Sequence, residues 1–331
     1  MRLLVTGGAG YIGSVVAARL LAEGHQVAVL DDLSTGHADA VPAGAEFIQG
    51  TLREDAGRVL VGGVDAVLHF AAKSLVGESV AQPAMYWDHN LGGTLALLEA
   101  MRAAGVARIV FSSTAAVYGE PERIPVDEAC PARPTNPYGA SKLAVDTVLA
   151  EYARLHAFGS VSLRYFNVAG AWRRPDGGWL GERHATETHL IPRVLDVASR
   201  MAGSTAGEAT EPVKIFGADY PTPDGTCVRD YIHVADLAEA HLLALDACAP
   251  GTHRVYNLGN GAGFSVREVI GRCAAVTGAD IPAVAAARRP GDPAVLVAAS
   301  ARIHAELGWA AHLDLRAMVS DAWAFIAAAG R

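Results

Sequence analysis

Cysteine is scarce: Cys130, Cys227, Cys248 and Cys273 are the four among 331 residues, far apart and with no C-x-x-C pair. That spacing supports neither a disulfide frame nor a cysteine metal site, so no metal is expected and a reducing cytoplasm is the expected compartment. A long apolar run is missing near the start, where Leu3-Leu4-Val5 stops at Thr6-Gly7, too short for a signal peptide or a membrane span. Basic clusters are missing as well. The net charge of −8 is spread along the chain, with no cationic run to follow a nucleic-acid backbone and no acidic tail. An anion site must then be built locally, from arginines and backbone N–H groups. What remains is an ordinary globular composition, 51% hydrophobic and 19% charged, which excludes a disordered chain. The length allows about two domains.

The N-terminal half alternates short apolar runs with helical stretches, the pattern of a doubly wound parallel α/β sheet. Strands are expected at Arg2–Thr6, Gln26–Leu30, Ala66–Phe70, Arg108–Ser112 and Val161–Tyr165, and helices at Ser14–Glu23, Gly93–Ala104 and Tyr138–His156. Beyond Asn167 the pattern loosens: Ala171–Thr188 has no clear period, and Ala202–Pro212 reads as a surface loop. Strands at Val213–Phe216 and Arg254–Leu258 and helices at Val234–Ala247 and Val266–Val276 follow. The expected division is a Rossmann-type domain over 1–170, with part of 230–260 returning to it, and a smaller α/β lobe over 171–331.

Two stretches carry the chemistry. Gly7-x-x-Gly10-x-x-Gly13 falls between a strand and a helix, where glycines let the backbone approach a pyrophosphate and the helix N-terminus offers free N–H groups. Asp31 ends the next strand, near the spacing of about 20 residues usual for a ribose-binding acid. A carboxylate there accepts ribose hydroxyls and repels a 2′-phosphate, so NAD is expected over NADP. In the second stretch Tyr138 and Lys142 stand four apart, one turn along a helix. An ammonium beside a phenol favours the phenolate, so Tyr138 is expected to trade protons well below the usual pKa of about 10. Thr114, at the end of Phe111-Ser112-Ser113-Thr114, falls at the carboxyl edge of the sheet, where open α/β folds bind ligands. A tuned Tyr beside a nicotinamide suits removal of a proton and a hydride from one carbinol.

Together these segments resemble the extended short-chain dehydrogenases/reductases, and within them the UDP-glucose 4-epimerase (UDP-galactose 4-epimerase) family. The likeness runs nearly the whole length: TGGAGYIGS at 6–14, HFAAKSLVGES at 69–79, FSSTAAVYG at 111–119, PTNPYGASK at 134–142 and LRYFNVAGA at 163–171. It continues in IFGADYPTPDGTCVRDYIHVADLAEAH at 215–241, YNLGNG at 256–261 and RRPGDP at 288–293. The resemblance implies an NAD site lined by Gly7, Gly10, Tyr11, Ile12, Gly13, Asp31, Asp32, Ser34, Thr35, Gly36, Thr51, Leu52, Phe70, Ala71, Ala72, Ser74, Asn90, Tyr165 and Phe166, with Lys142 on the nicotinamide ribose beside Tyr138. It implies that Thr114 and Tyr138 flank the sugar, and that Asn167, His189, Leu190, Lys214, Ile215, Phe216, Arg229, Arg289, Asp292 and Leu296 face a UDP-sugar. The implied catalytic set is Tyr138, Lys142 and Thr114. The implied reaction is reversible C4 epimerisation of UDP-glucose and UDP-galactose through a 4-keto sugar, by a homodimer that contacts neither nucleic acid nor membrane.

Several positions depart from the family. Thr51 replaces an Asp that meets the adenine amino group, Ser74 takes the place of a Lys now at Lys73, His189 replaces an Asn, and Leu296 occupies the position that gates room at the sugar C2. Epimerisation of a UDP-N-acetylhexosamine or a UDP-pentose stays open. A nucleotide-sugar dehydratase would need acid/base groups after Thr114, where Ala115-Ala116 stand. An NAD-sensing regulator on this fold would lack the Tyr/Lys pair.

Overall fold

The computed structural model describes residues 1–203, 211–289 and 291–328. Continuous Val/Leu/Ile/Ala runs such as Leu3-Leu4-Val5 and Ala66-Val67-Leu68 are buried on both faces, which suits central strands of a covered parallel sheet. These are β1 (Arg2–Thr6), β2 (Gln26–Asp31), β3 (Glu46–Gln49), β4 (Ala66–His69), β5 (Arg108–Thr114) and β6 (Gly159–Tyr165). A seventh strand, Thr252–Leu258, returns to pair in parallel with β6, and the order from that edge is seventh-β6-β5-β4-β1-β2-β3. All pairings are parallel, the doubly wound Rossmann arrangement.

One face is covered by the helices Tyr11–Ala22 and Val234–Asp246, which bury Val15, Val16, Leu20 and Leu237 against the sheet. The other is covered by Gly93–Ala104 and Pro137–His156 through Leu97, Leu98, Val145 and Leu149. A separate core gathers Ile191 and Val194 of Leu190–Gly203, Ile215 of Val213–Phe216, Val269 of Val266–Thr277 and Met318 of Leu315–Ala328. No helix among the described residues is long and apolar enough to cross a membrane.

The elements that differ from expectation are those with weak patterns. β3 is a short edge strand with mostly exposed side chains, and Leu52–Leu60 is one short amphipathic helix whose start is marked by the cap Thr51 rather than by an apolar run. The first helix begins at Tyr11, three residues earlier than expected, because a glycine turn needs no capping side chain. Short antiparallel strands, Ala171–Arg173 and Trp179–Gly181, lie where no regular structure was evident. Of the expected loop at Ala202–Pro212, Ala202 and Gly203 complete a helix; residues 204–210 lie outside the described residues.

Candidate active site

The crossover after β1 goes one way along the sheet and that after β4 the other, which opens a crevice at their carboxyl ends. Gly7 turns out of β1 at φ +71°, and a Cβ on it would come within 2.5 Å of Ala71 N beyond β4. A Cβ on Gly13 would stand 2.3 Å from Gly7 O. Only hydrogens fit there, so the turn and the first helix close on each other. Gly10 caps that helix without a side-chain acceptor, leaving the first-turn N–H groups of Tyr11 and Ile12 for an anion. A backbone-lined cradle with a dipole end is what a dinucleotide pyrophosphate fits.

Asp31 ends β2 beside this turn. Its Oδ2 accepts from Ala9 N at 3.0 Å and its Oδ1 from Leu33 N at 2.9 Å. Burial pushes its pKa up, partly offset by these bonds, and each oxygen retains a further acceptor site for a ribose hydroxyl. The Asp32 carboxyl is pulled down instead: burial is outweighed by the hydrogen bonds from Ser34 and the charges of Lys73 and His89. Ser34 and Thr35 are exposed on the same rim, with Gly36 against Ala9. Phe70 and Ala71 both donate backbone N–H to Thr6 O, fixing the floor through Ala72, while Phe70 packs on His241 at 4.8 Å. Ser74 stands exposed. Three carried-over contacts have other partners. Thr51 Oγ1 accepts from Glu54 N as a helix cap, and the neighbouring Leu52 packs on the core. Asn90 binds Lys73 N and O and Ser141 Oγ at 2.8–3.0 Å, so it braces the loop rather than reaching out. Buried Tyr165 bonds Ser112 Oγ, with Phe166 beside it.

Asn136 caps the next helix by accepting from Gly139 N at 2.9 Å, and Pro137 fixes its first turn, so Tyr138 opens it and Lys142 lies one turn on. Thr114, at the carboxyl end of β5, accepts from Ala116 N at 3.1 Å and keeps its hydroxyl proton for Tyr138. Here an expectation is corrected. Burial pushes the Tyr138 phenol up, the Thr114 bond opposes this only in part, and Lys142 makes no comparable contribution. The reason is where Lys142 points: its Nζ donates to Ser112 O at 2.8 Å, over the Phe111 ring, and burial pushes its own pKa down to about 7 despite Asp146. A half-neutral ammonium hydrogen-bonded elsewhere does little for a phenolate.

Arg229 and Asp292, both expected to face the UDP-sugar, pair with each other at 2.6 Å. Arg289 lies over the Phe216 ring at 4.1 Å. Asn167 Nδ2 donates to Asp230 O. Lys214 projects to the surface beside Glu211 and Ile215 into the separate core, because alternate residues of a strand face opposite ways. Leu296 packs with Ala115 and Phe166, which places it next to the Thr114 end of β5.

Sequence reasoning passed over the supports. Asp146 holds Arg164 at 2.8 Å inside the protein and faces Lys142. Asp230 gathers the N–H groups of Asn260, Gly261 and Ala298 and so ties the turn at 260–261 to the segment after Val295–Leu296. It also passed over Glu182, His184 and Glu187, which converge with His189; two acids and two imidazoles within eight residues was the available signal.

A family model described as the NAD dependent epimerase/dehydratase family matches residues 3–259. A UDP-glucose 4-epimerase from Corynebacterium glutamicum is 53% identical over 100% of this chain and 97% of its own length. One from Streptomyces lividans is 56% identical over 97% of this chain and 95% of its own. The crystal structure of UDP-glucose 4-epimerase from Bifidobacterium longum in complex with NAD+ and UDP matches with a TM-score of 0.90 at 38% identity, covering 99% of this chain and 98% of that one.

Proposed function

The chain belongs to the NAD-dependent epimerase/dehydratase family, and from that premise we infer that it reversibly epimerises UDP-glucose and UDP-galactose at C4, with NAD as cofactor. The observation that carries this is the meeting of Thr114, Tyr138 and Lys142 at the carboxyl edge of the sheet, beside the glycine cradle. The chemistry NAD supplies when bound is reversible acceptance of a hydride from C4, together with a ring charge that favours a nearby phenolate.

The residues supply the rest. Tyr138, as phenolate, takes the C4 hydroxyl proton while the C4 hydride departs, which leaves a 4-keto sugar. Thr114 holds its hydroxyl between Ala116 N and Tyr138, and so is set to share the same sugar oxygen. Lys142 anchors on Ser112 O and fixes the reach of its ammonium toward a ribose. The keto sugar turns over, hydride returns to the opposite face of C4, and the Tyr138 proton returns to the C4 oxygen. Proximity does much of the work because both reactants stay held. Opening of the Arg229–Asp292 pair would let Arg229, with Arg289, clamp the diphosphate while Asp292 takes uridine-ribose hydroxyls.

We assign residues 1–170 and 230–260 to the dinucleotide domain and the remainder to the UDP-sugar lobe. We also propose a homodimer through Gly93–Ala104 and Pro137–His156, whose outer surface includes the exposed apolar side chains Leu95 and Leu155. A cytoplasmic location accords with four cysteines that are all unpaired. The test is incubation with UDP-galactose and no added NAD, followed by chromatography of the UDP-sugars. UDP-glucose approaching an equilibrium mixture is expected, and no conversion even with NAD added would overturn the assignment.

A further inference from the structure

The loop after Trp179–Gly181 brings four ligand-type side chains to one point. His189 Nδ1 is 2.7 Å from Glu182 Oε1 and 3.0 Å from Glu187 Oε1; His184 Nδ1 is 3.1 Å from Glu182 Oε1 and 3.3 Å from Glu187 Oε2. One donor atom from each of the four lies within 4.8 Å of the others. Both imidazoles aim the same ring nitrogen inward, and each nitrogen has a single proton to divide between two carboxylates. Glu187 Oε1 also accepts from Thr188 N and His189 N at 2.7 Å, which fixes that carboxylate in the turn. A tetrahedral Zn²⁺ with N and O ligands at about 2.0–2.2 Å has donors about 3.3 Å apart, close to these spacings.

We propose that Glu182, His184, Glu187 and His189 form a binding site for a divalent first-row metal ion, Zn²⁺ foremost, that fixes this loop in one conformation. Two imidazoles and two carboxylates suit Zn²⁺ in both donor softness and charge, since the acids neutralise the ion. Arg183, within the same loop, does not compensate the acids: it reaches away to Asp39 at 2.6 Å. The loop so fixed borders the glycine turn. The loop's Arg183 O meets His37 Nε2 at 2.8 Å, and Arg183 and His184 form one wall of a small cavity whose other wall is Gly10, Tyr11 and Thr35. The site also hands His189 a role other than substrate contact. Metal ligands bind deprotonated, so the ion displaces protons and its affinity rises with pH.

The test is calorimetric titration of Zn²⁺ into the chelator-treated full chain, with Co²⁺ substitution read by visible absorption. One equivalent is expected to bind with proton release and to give the intense bands of tetrahedral Co²⁺. H184Q and E187Q should each weaken binding by at least about 100-fold, the upper end of what losing even a supporting partner costs. H25Q, at the far end of the first helix, should leave it unchanged. Equal Zn²⁺ affinity in wild type, H184Q and E187Q, or a weak octahedral Co²⁺ spectrum in wild type, would overturn the proposal and leave a proton-bridged cluster. The wild-type spectrum decides even where a variant fails to fold.

Discussion

Replacing Lys142 with Met should abolish turnover yet relieve the cofactor-free protein of an electrostatic penalty whose pH course is fixed by the structure. The Lys142 ammonium is buried to 2% exposure, and burial, only partly opposed by Asp146, brings its pKa from 10.5 to about 7. At about 1.36 kcal/mol per pH unit, that is on the order of 5 kcal/mol against the folded state below pH 7. The sign follows from proton counting: between pH 7 and 10.5 the unfolded chain holds a proton that the folded chain has lost, so wild-type stability rises with pH relative to the variant. The lost hydrogen bond to Ser112 O shifts the variant by a constant and leaves this slope untouched. From pH 6 to pH 9 the wild-type minus variant unfolding free energy should rise by about 3 kcal/mol, two units' worth above the folded pKa. Denaturant unfolding of both cofactor-free proteins at a series of pH values measures it. Parallel stability curves would refute the burial argument, and with it the explanation of why Lys142 fails to lower Tyr138 unaided.

Other expected outcomes are as specific. Tyr138→Phe should lower turnover by roughly 10²–10⁴ with NAD still retained; near-normal turnover would remove Tyr138 from the proton path. Gly13→Ala sets a methyl 2.3 Å from Gly7 O, so the variant should bind added NAD at least about tenfold more weakly than wild type and lose about 1–3 kcal/mol in denaturant titration. Asp146→Ala strands the buried Arg164 and should cost about 3–5 kcal/mol; a loss under about 1 kcal/mol would show that water reaches the pair.

The sequence by itself determined the parts whose chemistry is local. Gly7, Gly10 and Gly13 stand within one turn of chain, and Tyr138 and Lys142 one turn apart on a helix begun by Asn136-Pro137, so spacing alone brought them together. Apolar runs likewise marked β1, β2 and β4, because strands buried on both faces tend to be nearly all apolar, while β5 and β6 bury Ser113, Ser160, Ser162 and Arg164 among their apolar residues. Weakly patterned pieces escaped, such as the exposed edge strand β3, since little burial leaves little trace in composition. What only the tertiary structure decided is where each charge goes. Lys142 bonds a carbonyl thirty residues earlier, Arg229 meets Asp292 sixty-three residues on, and Glu182, His184, Glu187 and His189 turn to a common point. A side chain's partner and its desolvation depend on what the fold packs beside it, and those neighbours are set by chain crossings that no local spacing encodes.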